Sequence, residues 1–116
     1  GWVPTDRNTL QHKTHDRIFV IGDATDLPIS KSGSVAHFQA PIVASRIAAL
    51  VKGQVPRKTY DGRVMCFLET GGRRATTLRF DYAHPPVPPR PAVFWHAAKW
   101  MFNRMYWHTV PQGRVP

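Results

Sequence analysis

Three stretches of the sequence predict an α/β fold. Arg17-Ile18-Phe19-Val20-Ile21 is a short apolar run that ends in Gly22-Asp23, the pattern of a strand buried on both faces that stops at a sheet edge. From Val35 to Val51, apolar residues recur mostly at three- and four-residue spacing, which is the period of a helix. Val64 to Leu68 and Ala75 to Phe80 flank Thr70-Gly71-Gly72-Arg73, a hairpin signal. The 116 residues, 42% of them hydrophobic, are enough for one small domain with a modest core.

In chain order, residues 1–16 are expected to be polar and extended, with Thr9-Leu10-Gln11 pairing beside the Arg17–Ile21 strand. Gly22-Asp23 permits a sharp turn and leaves a carboxylate at the edge where open α/β sheets bind ligands; a core strand with a capping Asp is the plain alternative. Residues 24–33 are a loop rich in turn formers. Ser34 is the expected N-cap of the helix, and Lys52-Gly53 its stop. Pro41 lies inside the pattern and removes a backbone donor, so a kink or early break is expected there. Lys31-Ser32-Gly33-Ser34 then sits at a helix N-terminus, which favours an anionic or electron-rich group.

Gln54 to Tyr60 reads as a short connector. In the first hairpin strand, Cys66 is either a small core hydrophobe or a reactive thiol. A regular strand sends Cys66 and Phe67 to opposite faces, so both face one site only where the strand ends or bulges. His84 to Pro91 holds five prolines; it is expected to be extended and to set the last element at a distance.

That last element, Val93 to Trp107, is a helix with apolar residues nearly all round. Trp95, Ala98, Lys99, Phe102 and Tyr106 share one face, and Phe94, Ala97, Met101 and Met105 a second. Such a helix is buried against protein or dipped in lipid. Its fifteen residues fall short of the ~20 that span a bilayer, and its Trp, Tyr and basic residues suit an in-plane interfacial position. Lys99, on the aromatic face, either snorkels out or meets a specific polar partner.

Sixteen Lys and Arg against seven Asp and Glu give a net charge of +9. Such an excess suits nucleic acid or an anionic membrane surface, but the basic residues are scattered and accompany no nucleic-acid motif. Most read as a solvated basic surface, nucleic acid is not an expected partner, and the membrane contact is expected through the C-terminal helix. The single Cys66 excludes an internal disulfide. The six His form no ligand set, and no metal site is expected. There is no Gly-x-Gly-x-x-Gly and no signal-like stretch, and the chain reads as the C-terminal portion of something larger.

The ordered set Ile18-Phe19-Val20-Ile21-Gly22-Asp23-Ala24, Ser30-Lys31-Ser32-Gly33, Ala36-His37-Phe38-Gln39-Ala40, Tyr60-Asp61-Gly62, Cys66-Phe67, His96-Ala97-Ala98-Lys99 and Phe102 resembles the C-terminal part of the sulfide:quinone oxidoreductase family. These are FAD flavoproteins of the superfamily with two dinucleotide-binding (Rossmann-like) domains. The resemblance implies that residues 1–53 end an FAD-binding domain and that 54–116 form a hairpin, a Pro-rich connector and a membrane- and quinone-facing helix.

It further implies that Asp23 hydrogen-bonds the FAD ribityl chain, with Gly22 allowing close approach, and that Gly33 contacts the flavin. Lys99 is implied as the lysine on the isoalloxazine, Phe67 and Phe102 as the rings that hold the quinone head, and Cys66 as the redox cysteine. Sulfide would enter at a cysteine disulfide or polysulfide bridge whose other arm lies upstream, and sulfur would leave as polysulfide or a related carrier. The expected setting is peripheral, on a prokaryotic cytoplasmic membrane, with homo-oligomerisation left open and the 116 residues alone inactive. Alternatives are an NAD(P)H:quinone reductase, a cytochrome-linked sulfide dehydrogenase, or a non-enzymatic basic module that docks on membranes.

Overall fold

A computed structural model describes residues 1–114. Its elements are a 3-10 turn Gly22–Ala24, helix α1 Gly33–Val51, strands β1 Val64–Gly71 and β2 Arg74–Phe80, helix α2 Val93–Thr109 and a 3-10 turn Val110–Gln112. The expected mixture of helices and a hairpin is present. The only sheet among the described residues is the antiparallel pair β1–β2.

The Arg17–Ile21 run is not a strand buried on both faces. It is an extended segment held by isolated pairings: Gln11 opposite Phe19, with the His12 N–H on the Ile18 carbonyl (2.8 Å) and the Val20 N–H on the Leu10 carbonyl (2.9 Å). The expected pairing of Thr9-Leu10-Gln11 with this run is thus present. Val20 is buried, whereas Ile18 and Ile21 are 47% and 38% exposed. A parallel strand is covered on both faces only when helices or strands flank it, and none does so here among the described residues.

Helix α1 begins at Gly33, with Ser32 rather than Ser34 at the N-cap, and the Ser32 side chain makes no capping bond. Of the kink or early break expected at Pro41, the break does not occur: the helix runs through it to Val51. One missing bond and a ring in a helix interior cost about 3 kcal/mol, which the packed turns on either side offset. The stop is as expected: the Gly53 N–H bonds Leu50 O (3.0 Å) and the Gln54 N–H bonds Ala49 O (2.8 Å), a paired closure of the last turn.

The core lies between α1 and the segments on either side of it. Leu10, Leu27 and Tyr60 are buried together, with Ile29, Phe38, Ile42, Val43 and Tyr82 packed around them. Tyr60 donates to Arg63 O (2.7 Å), and burial pushes its phenol well above the usual range. Arg46, on the buried face of α1, holds the connector by donating to Lys58 O (2.8 Å). Gly62, at φ +86, packs flat on Tyr82; a Cβ there would lie 2.4 Å from the ring. By length and composition α1 is apolar enough to cross a membrane, but its buried face carries Gln39 and Arg46 with Val35, as in a core helix.

The hairpin is regular from Val64 opposite Phe80 to Glu69 opposite Ala75. A bulge follows at Thr70, and the turn at Gly72-Arg73 has positive φ at both residues, as a tight two-residue hairpin connection needs. The Pro-rich segment does not hold α2 at a distance. It doubles back along β2, where Thr76 donates to Pro89 O (2.6 Å) and Ala75 and Ala92 exchange both backbone bonds. Helix α2 therefore starts against the hairpin. None of its residues is fully buried, Trp95, Ala98, Lys99 and Tyr106 are half-buried, and Phe94, Trp100 and Trp107 are 67%, 59% and 71% exposed.

Candidate functional site

The Gly-Asp turn is built against α1. Gly22 is buried at φ +66, its N–H donates to the Gln39 side-chain oxygen (2.6 Å), and a Cβ would sit 3.2 Å from Ala36 Cβ. Glycine is therefore required here by contact with α1 and by its left-handed backbone. Thr25 closes the turn by donating to Gly22 O (2.9 Å). Asp23 is exposed, and its carboxylate makes no hydrogen bond or ion pair among the described residues. The Nε2 of Gln39 is buried without a partner.

The first residue of α1 is Gly33, exposed and with open space where a Cβ would be. The first N–H groups of a helix have no intrahelical acceptor. Beside this helix start stands Cys66. Its sulfur is 3.6 Å from Ser32 Oγ and 3.9 Å from Ser34 Oγ, and it is half-buried and unbridged. The alternating side chains of β1 bring this about: Val64 and Cys66 point toward α1, with Leu78 opposite Cys66 on β2.

The other face of β1 carries Phe67 and Glu69 toward α2. The rings of Phe67 and Phe102 are 6.5 Å apart and tilted by 38°. Lys99 Nζ is 3.4 Å from Glu69 Oε1, and His96 Nδ1 is 3.0 Å from Glu69 Oε2. Lys99 thus has a polar partner, one of the two outcomes the sequence left open. The hydrogen bond from His96, helped by that from Lys99, holds the Glu69 carboxyl below its usual range.

The candidate residues fall into two groups separated by the hairpin. Gly33 and Cys66 lie at the start of α1, where the Gly22-Asp23 turn also packs on the helix; Phe67, Lys99 and Phe102 lie between β1 and α2. The bulge that could bring Cys66 and Phe67 to one face lies beyond them, at Glu69–Gly71. Glu69 was not singled out by sequence, although the two-residue alternation of β1 already placed it on the face of Phe67; Ser32 and Ser34 were read as the helix start, but not as neighbours of Cys66. Among the described residues no three His, Cys, Asp or Glu converge as a metal site would need. His12 and His15 face each other at 3.3 Å, exposed at the surface.

No protein-family model matches the chain. It is 41% identical to the mitochondrial sulfide:quinone oxidoreductase of Mus musculus over 91 residues, 78% of this chain and 20% of that protein. Against the mitochondrial sulfide:quinone oxidoreductases of Dictyostelium discoideum and Schizosaccharomyces pombe it is 29% and 30% identical, over 98% and 93% of its length and 27% and 26% of theirs. Among solved structures it matches a chain in the cryo-EM structure of the Tetrahymena thermophila mitochondrial ATP synthase, an F1Fo composite tetramer. The TM-score is 0.71 at 29% identity, covering 91% of this chain and 26% of that one. The chain therefore spans about a quarter or less of the length of these relatives. Over most of its length it is a sulfide:quinone oxidoreductase-like segment.

Proposed function

We propose that this segment serves an FAD-dependent enzyme that oxidises sulfide and reduces quinone. On this reading it supplies part of the flavin cradle, one redox sulfur and the quinone-facing helix. The observation that carries the reading is the division of labour across β1: a thiol against the start of α1 on one face, a pair of rings and a lysine on the other.

The residues present suit a flavin. The exposed Asp23 carboxylate is an acceptor for ribityl hydroxyls, and the open Gly33 at the positive end of α1 admits close approach by an electron-rich ring edge. Gly22 lets the turn seat on α1 and thereby sets where Asp23 stands. When bound, FAD supplies a two-electron carrier between sulfur and quinone. Lys99 offers a cation to negative charge on its ring, and Phe67 and Phe102 offer apolar faces to a flat quinone head. Cys66 is one arm of a disulfide or polysulfide bridge. Sulfide attacks the bridge, a new S–S bond forms as the old one breaks, and Cys66 emerges as thiolate or persulfide.

On this reading the boundary lies between residues 53 and 54, the first part ending the FAD-binding domain and the second holding the hairpin, the Pro-rich connector and the membrane- and quinone-facing helix. Tyr60 and Tyr82 of the second part pack on the core of the first. The exposed Phe94, Trp100 and Trp107 favour a membrane surface as partner. The mitochondrial names of the relatives favour a mitochondrial membrane over the prokaryotic one expected from the sequence.

The test is a titration of the full-length protein with sulfide and a short-chain quinone, following flavin absorbance. Sulfide should bleach the flavin and quinone restore it; a flavin that NADH bleaches and sulfide does not points to the NAD(P)H:quinone reductase alternative. A second reading, a non-catalytic module of a membrane assembly, is favoured by the match to a chain in the ATP synthase structure. A full-length protein that purifies without flavin would favour it.

A further inference from the structure

We propose that Glu69 is a positioning residue for Lys99. It tethers the ammonium beside the Phe67–Phe102 rings, so that the cation is fixed before any ligand arrives. This rests on the reading of Lys99, Phe67 and Phe102 given above.

Two rungs join β1 to α2. Phe67 and Glu69 are two residues apart on one face of β1, a step of about 7 Å. Lys99 and Phe102 are three apart on α2, a rise of about 4.5 Å. One rung is the ring pair, with centroids 6.5 Å apart, and the other is the ion pair at 3.4 Å. His96, one turn before Lys99, contacts both carboxylate oxygens of Glu69, at 3.2 and 3.0 Å. The carboxylate therefore spans two successive turns of the helix. The Thr70 bulge begins directly after Glu69, and bulges re-aim neighbouring side chains.

A free lysine samples many rotamers and loses side-chain entropy when fixed. The contact with Glu69 takes that loss in the resting protein, which is preorganisation in its ordinary sense. The same negative charge also partly cancels the field of Lys99. A tether and a mere counter-charge therefore predict opposite results when the carboxylate is neutralised in place.

The experiment uses the full-length, flavin-loaded protein with Lys99→Met, Glu69→Gln and the double variant, reading the flavin reduction potential and the quinone KM. Lys99→Met should lower the potential and raise the quinone KM about tenfold or more, as the loss of a charged hydrogen-bonding group does. A tether predicts that Glu69→Gln moves both in the same direction, the KM by about twofold to fivefold, and that the double variant equals Lys99→Met. Glu69→Asp, which keeps the charge on a shorter arm, should lie between wild type and Glu69→Gln. A raised potential with unchanged KM in Glu69→Gln makes Glu69 a counter-charge and overturns the proposal. So does a silent Glu69→Gln beside an impaired Lys99→Met, which leaves the role of Lys99 standing. If both single variants are silent, the reading of Lys99 fails and the tether fails with it.

Discussion

The sulfur of Cys66 and the ring of Phe67 lie on opposite faces of β1, the one against Ser32 and Ser34 and the other against Phe102. Adjacent residues of a regular strand cannot do otherwise. The two half-reactions should accordingly be separable by mutation. Cys66→Ser should abolish bleaching of the flavin by sulfide while chemically reduced flavin is still reoxidised by quinone. Phe102→Ala should leave bleaching intact and raise the quinone KM about tenfold, the loss of roughly 1.5 kcal/mol of ring contact. Stopped-flow absorbance separates the two. A Cys66→Ser protein that still turns over sulfide removes the thiol from the mechanism.

Acid should loosen α2 from the hairpin. The Glu69 carboxyl lies below its ordinary value of 4.5, chiefly through His96 and then through Lys99. A carboxyl lowered on folding contributes stability above the unfolded value, and this is lost as pH falls through the lowered one. Asp26, lowered from 3.8 first by its bond from Lys13 and then by the Thr5 N–H, acts with the same sign at the N-terminal segment. Below about pH 4.5, hydrogen exchange in the β1 and α2 peptides of the intact protein should quicken. Glu69→Gln should show that fast exchange at neutral pH already. An identical pH profile in the variant would show that the docking does not depend on this carboxylate.

Gly62→Ala should destabilise the protein by about 2–4 kcal/mol, combining left-handed strain with overpacking on a ring. The new Cβ meets the Tyr82 ring at 2.4 Å, and Tyr82, whose phenol burial raises to about 12, anchors the N-terminal segment by donating to Arg7 O (2.9 Å). Thermal melts of the two proteins side by side report the loss. A melt within a degree of wild type would mean that Tyr82 moves aside freely.

Replacing Trp107 or Phe94 by Ala should weaken binding to anionic vesicles by about fivefold to thirtyfold each, from partial insertion of a large side chain. Both are exposed, Phe94 with its ring against Trp95 and Trp107 with its ring against Tyr106. Co-sedimentation of the full-length protein measures the change, and sulfide bleaching of the flavin should stay as it was. Unchanged sedimentation would assign the face to a protein partner.

The hairpin, the two helices and the stop at Gly53 were legible in the sequence because each rests on local rules: alternation, a 3.6-residue period and a turn or cap residue. The Arg17–Ile21 run misled because a short apolar stretch does not say whether neighbours flank it. The early break offered at Pro41 does not occur because the cost of one proline is small beside a whole packed helix. The position of α2 was missed for another reason. Prolines fix the backbone as extended, but say nothing of whether the segment runs away from the hairpin or back along it, which a single pairing, Ala75 with Ala92, decides. At the site, Cys66, Phe67, Lys99 and Phe102 came from resemblance, and the faces they occupy followed from periodicity. Glu69 needed the tertiary contact.

Mechanically, α2 is a cantilever. Ala92 clamps its root to β2, and His96, Lys99 and Phe102 stiffen the next two turns against β1. Trp107 stands about 12 Å beyond Lys99 along the axis, exposed, with its ring against Tyr106 of the same helix. A beam loaded at its free tip carries its largest bending moment at the root. Whatever grips Trp107 therefore applies torque where the lysine and the paired rings sit, and the depth of anchoring is converted into leverage on their spacing.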